Sequence, residues 1–145
     1  MKLSRLRTNG RRSSLETLEP RRLLSSGPIV DHGLTAQYFD NADLTDLRIV
    51  RVDPFVNFDF GEGSPASGVA PDTFSVRWTG RVQAPYSEAF TFYTRSDDGV
   101  RLWINNQQVI NNWTNHNEVE NATKDDCGAG CDVLLRAMVE RANAN

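Results

Sequence analysis

Residues 90–113, FTFYTRSDDGVRLWINNQQVINNW, constrain the fold more than any other stretch of the chain. Phe90, Phe92 and Thr94 alternate with more polar neighbours before Ser96-Asp97-Asp98-Gly99, and Val100, Leu102 and Ile104 alternate after it. Period two is the signature of strands buried on one face, so the pattern predicts two strands closing on a tight acidic turn. Asn105-Asn106-Gln107-Gln108 predicts a second turn, because Asn tolerates the left-handed backbone region, and Val109-Ile110 resume the apolar pattern in a third strand. Adjacent carboxylates repel unless a cation, a hydrogen-bond donor or water intervenes. Asp97 and Asp98 therefore mark the first turn as the place for any chemistry.

The rest of the chain reads mostly as strands. Leu34-Thr35-Ala36-Gln37-Tyr38-Phe39 alternates, Leu47, Ile49, Val50 and Val52 offer a short strand, and Phe74, Val76 and Trp78 alternate with Ser75, Arg77 and Thr79 through to Val82. Gly80 predicts a bulge in that last strand. Phe55, Phe58 and Phe60 are expected to anchor an irregular connection to the core, the alternative being an exposed aromatic platform. Trp78 belongs to the core. Trp103 falls opposite Val100, Leu102 and Ile104, where it either packs under a loop or stacks on a sugar ring, and Trp113 is read the same way. Beyond Trp113 the alternation fails: Leu134, Leu135, Met138 and Val139 fit a helical stripe with Arg136, Glu140 and Arg141 outside it.

Charge divides the 145 residues unevenly. Residues 1–24 hold seven Lys and Arg against two Glu, so the remainder carries 9 − 17 = −8 of the overall −3. An acidic body argues against nucleic acid as the main partner, since phosphate binding needs clustered Lys and Arg. Residues 1–28, rich in Arg and Ser and ending in Ser25-Ser26-Gly27-Pro28, read as a disordered leader and linker ahead of one domain over 29–145. No stretch approaches the roughly 18 apolar residues of a membrane span, and no apolar core of a secretory signal follows Lys2, Arg5 and Arg7. Cys127 and Cys131 form neither a disulfide framework nor a four-ligand zinc site; they are read as incidental, with a short local disulfide as the alternative. His32 and His116 stand apart from other ligand types. No nucleophile, base and orienting acid assemble, which predicts a non-enzyme. Asn112-Trp113-Thr114 and Asn121-Ala122-Thr123 are glycosylation sequons by pattern.

Ser96 to Ile104, SDDGVRLWI, closely resembles the central segment of the PA14 domain family. The GLTAQYF opening from Gly33 and the FSVRWTG segment from Phe74 resemble the same family in the same order, so the match is clear over 33–113 and divergent or truncated over 114–145. The resemblance implies an all-β antiparallel sandwich or barrel, lacking strands at its C-terminal end. It also implies carbohydrate binding, because adhesin members of the family hold sugar through calcium on two consecutive aspartates. Asp97 and Asp98 are then the expected calcium ligands, with Asn111, Asn112 and Asn115 as further oxygens by type, and Trp103, Asn111 and Asn112 as sugar contacts. The bland alternative is a turn whose aspartates cap backbone amides. The expected partner is a glycan or cell-surface polysaccharide, the alternatives being a module that contacts other surface proteins and a fragment of a larger glycosidase. Leu18 to Leu24, LEPRRLL, resembles the LEPR-x-LL motif of planctomycete surface proteins, which implies a cell-surface or secreted destination.

Overall fold

The computed structural model describes residues 2–3, 32–82, 89–127 and 131–139. The LEPR-x-LL motif, most of the expected leader, residues 84–87, which the sequence reads as a short loop into the Phe90 strand, and Glu140 and Arg141 lie outside them. Within them the chain forms ten strands and no helix. These are β1 (Lys2–Leu3), β2 (Leu34–Phe39), β3 (Leu47–Asp53), β4 (Phe58–Asp59), β5 (Phe74–Val82), β6 (Ala89–Ser96), β7 (Val100–Ile104), β8 (Gln107–Asn112), β9 (Val119–Asp126) and β10 (Cys131–Val139). Six of them make one sheet in the order β3-β2-β5-β10-β7-β8, while β6 pairs with β9 and β1 with β4. All the pairings are antiparallel.

Alternation sorts the side chains into two faces. Ala36 and Tyr38 of β2, Val76 and Trp78 of β5, Leu102 and Ile104 of β7, and Val133 and Leu135 of β10 are buried on the inner face of the large sheet. Phe90 and Phe92 of β6 join the same core from the opposite side, so β6–β9 is the second layer of a sandwich. The segment between β3 and β5 closes one flank: Phe58 stacks on Trp78 at 6.0 Å between ring centroids, and Phe60 meets Phe74 edge-on at 5.3 Å. These two rings anchor the segment as expected. Phe55 does not, being 66% exposed while Val56 beside it is buried.

Three further expectations are corrected. The acidic turn does not close a hairpin: β6 and β7 lie in different sheets, and Ser96-Asp97-Asp98-Gly99 carries the chain across the sandwich. Both strands present one apolar face, and two such faces bury more by opposing each other than by pairing edge to edge. The supposed helical stripe is β10, an interior strand between β5 and β7. Its Val133 and Leu135 point inward and Leu134 and Arg136 outward, an alternation hidden in the sequence by two adjacent apolar pairs. Gly80 stands in unbroken register opposite Val133, and a Cβ there would come within 2.6 Å of Leu34 Cδ2, so the glycine answers close packing rather than a bulge. The second turn does form as predicted, with Asn105 and Asn106 both at positive φ joining β7 to β8.

Candidate functional site

The crossing from β6 to β7 is built from the inside out. Thr94 and Ser96 continue the inward face of β6 beyond Phe90 and Phe92, so the core ends there in hydroxyls rather than rings. Asp98 follows at φ 71°, a left-handed conformation that an Asp adopts more readily than most residues, and it is only 4% exposed. Its N–H donates to the His116 carbonyl at 2.9 Å, and the His116 N–H points back to Asp98 Oδ1 at 3.4 Å. The crossing is thereby tied to the loop between β8 and β9. Asp97 is half-buried beside it.

Several polar atoms near this end are buried without a hydrogen-bond partner among the described residues: Thr94 Oγ1, Ser96 Oγ, His116 Nε2 and Asn121 Nδ2. Thr94 and Asn121 face each other across β6 and β9. Buried polar atoms are ordinarily paired, so a cluster of unpaired ones at one end of a core calls for water, an ion or a ligand. The two aspartates and the Thr94 and Ser96 hydroxyls offer hard oxygens of the kind calcium takes, whereas His116 Nε2 and the Asn121 amide nitrogen are not calcium ligands. Among the described residues no third Asp, Glu, His or Cys joins the two aspartates. They fit a calcium ion whose shell is filled out by carbonyls, hydroxyls and outside oxygens, and they do not fit a zinc-type site.

The five residues singled out from sequence fall into two places. Asp97 and Asp98 sit at the crossing, and Asn112 is near them, opposite Val100 at the start of β7, with its Oδ1 accepting from Thr114 Oγ1 at 3.0 Å. Trp103 and Asn111 instead lie on the outer face of the large sheet. Trp103 is half-buried beneath the Arg136 guanidinium, 4.6 Å from its ring centroid, and Trp113 lies similarly beneath Arg101 at 4.8 Å. Both tryptophans pack, under arginines rather than under a loop. An open depression of about 470 Å³ between Gly33–Leu34, Pro54–Asn57 and Arg81–Val82 lies at the far end of the sheet from Asp98.

Sequence reading missed Asp53, which is buried at the end of β3. It accepts hydrogen bonds from Tyr38 Oη at 2.7 Å, Trp78 Nε1 at 2.8 Å and Arg51 Nε at 2.6 Å, and the Arg51 guanidinium also lies over the Tyr38 ring. Burial, then the Asp53 carboxylate, pushes the Tyr38 hydroxyl far above its ordinary pKa. For Arg51 burial acts against the charge, but the bond to Asp53 and the charges of Tyr38 and Asp53 outweigh it and the guanidinium ends above its usual value. The spacing of Arg51 and Asp53, two apart on one strand face, was the available signal.

With this architecture in place, comparison with known proteins decides the family, since the PA14 domain matches residues 31–129. The chain belongs to the PA14 domain family. Anti-sigma-I factor RsgI3 of Acetivibrio thermocellus is 46% identical to this PA14 domain over 90 residues, which are 62% of this chain and 14% of that protein. The solved structure of an anti-sigma factor domain-containing protein superposes with a TM-score of 0.72 at 39% identity, covering 75% of this chain and 39% of the other. The PA14 domain of the MpAFP antifreeze protein, only 12% identical, shares the fold with a TM-score of 0.59 over 88% of this chain and 81% of its own. The chain thus spans a small part of the length of the curated relatives it matches.

Proposed function

We propose that this PA14 domain is a non-catalytic carbohydrate-binding module, acting at the cell surface or in a secreted protein, with calcium held at Asp97 and Asp98. The observation that carries the reading is the buried Asp98 carboxylate beside Asp97, at the end of the core where the Thr94 and Ser96 hydroxyls have no partner among the described residues. Calcium, when bound, offers oxygen-seeking coordination positions that vicinal sugar hydroxyls fill well. The chain's own part is positional. Asp98 is held by its contacts with His116, Asp97 beside it is half-buried, Asn112 ends β8 opposite Val100, and Asn115 is exposed in the loop that carries His116.

The placement outside the cell is supported by the Cys127–Cys131 disulfide, since such bonds persist in oxidising compartments. No helix among the described residues is long and apolar enough to cross a membrane. The likeness to anti-sigma-I factor RsgI3 is confined to 14% of that protein, so only the PA14 domain is carried over from it.

The test is retention of the full chain in affinity electrophoresis on a panel of neutral and acidic polysaccharides, with calcium and with a chelator. Retention on at least one neutral glycan that the chelator abolishes, and that Asp97→Asn with Asp98→Asn also abolishes, is the expected result. Retention on neutral glycans that neither treatment reduces, or no retention on any of them, would reject the site.

A further inference from the structure

The outer face of the large sheet carries a row of like charges. Arg136 of β10 stands directly between Arg77 of β5 and Arg101 of β7 as cross-strand partner of both. Gln37 of β2 extends the row on one side and Asn111 of β8 on the other. Adjacent strands lie about 4.8 Å apart, and like charges directly opposite each other destabilise a sheet. The cost shows in Arg136, whose basicity is lowered by burial first and then by the charges of Arg77 and Arg101.

These three arginines differ from the other described ones. Arg48, Arg51, Arg81 and Arg95 each pair with a carboxylate. Among the described residues Arg77, Arg101 and Arg136 have none. Arg101 Nε donates to Asn111 Oδ1 at 2.8 Å, Arg77 reaches Gln37 Oε1 only at 3.4 Å, and the buried Nε atoms of Arg77 and Arg136 have no partner. Each guanidinium is held over an aromatic ring, Arg77 over Phe39 at 5.2 Å, Arg136 over Trp103 and Arg101 over Trp113. The rings fix the cations in place without neutralising them. One row further along, Thr35, Thr79 and Leu134 help to line a shallow depression of about 490 Å³.

We propose that this arginine row is a second binding surface of the domain, for an extended polysaccharide bearing carboxylates, as a polyuronate does. The three cations lie in a line, one strand spacing apart, which suits acidic groups repeated along a stretched sugar chain. Guanidinium forks pair with carboxylates two bonds at a time, and the flanking hydroxyls and ring edges suit the pyranose bodies between them. Binding an anion also removes the repulsion within the row. The surface stands on the opposite side of the large sheet from its core face, and needs neither calcium nor the Asp97-Asp98 site.

The test uses the full chain and alginate in the presence of a chelator at low salt, with methyl-esterified alginate as the uncharged control. Native alginate is expected to bind and the ester not, with affinity falling as salt rises. Arg101→Gln with Arg136→Gln should weaken binding at least ten-fold while leaving the thermal melt unchanged or raised, because repulsion is relieved. Arg77→Gln alone serves if the double variant fails to fold, and it should weaken binding as well. Equal binding of native and esterified polymer, full affinity in the variants, or no binding of alginate would each overturn the proposal. So would self-association through this face, lost in the variants, in a protein that does not retain alginate.

Discussion

A buried carboxylate is tolerable only among donors, and Asp53 has three, from Tyr38, Trp78 and Arg51. This knot joins β2, β3 and β5 and makes Tyr38 a pH probe of the core. Above its ordinary value of 10.0 the unfolded chain releases the tyrosine proton while the folded chain keeps it. The unfolded state then binds fewer protons, so stability falls as pH rises beyond that point. Urea unfolding between pH 9 and 11.5 should show this decline in the parent, and Tyr38→Phe should be less stable at neutral pH but decline less steeply. Identical slopes in the two proteins would remove Tyr38 from the account. Beyond the Arg51–Asp53 spacing the knot was not legible in the sequence, because burial of an acid depends on donors brought from 15 and 25 residues away.

At the scale of elements, strands with one apolar face were legible and strands without one were not. β2, β5, β6 and β7 follow from alternation alone, because their inward residues are large and apolar. β9 reads VENATKDD, and its strand state comes from pairing along the whole of β6 rather than from its own pattern. β10 is an interior strand on which adjacent Leu134 and Leu135 go to opposite faces, which in sequence mimics a helical stripe. The Ser96–Gly99 crossing was placed correctly but read as a hairpin, since sequence gives the turn residues and not the partner of each strand. Cys127 and Cys131, read as incidental, form a disulfide that clamps the connection from β9 to β10. Closing so short a loop should contribute about 2 kcal/mol on the chain-entropy account. Replacing both cysteines by alanine should therefore lower stability by about that much, measured by denaturant unfolding, with glycan binding at the opposite end of the sheet unaffected. Reduction that leaves the midpoint unmoved would contradict the clamp.

The whole molecule is a sandwich with different chemistry at different surfaces. One end of the core finishes in the Asp97-Asp98 crossing and in Thr94 and Ser96 hydroxyls unpaired among the described residues, and the outer face of the large sheet carries the arginine row. The resemblance seen in sequence gave the family and the aspartates. It gave no hint that Trp103 and Asn111 would be separated from those aspartates and joined to Arg136 and Arg101, because the row exists only once β10 is in the sheet. The claim that most of the functional reading depends on is that the crossing holds calcium. It is tested most directly by a thermal melt of the full chain with calcium and with chelator, since a ligand that binds only the folded state must stabilise it, by about 2.7 kcal/mol at one hundred times its dissociation constant. The account predicts a higher melting temperature with calcium, and no such rise when Asp97 and Asp98 are both changed to asparagine. Superimposable melts with and without calcium would contradict it and leave the two aspartates as turn residues.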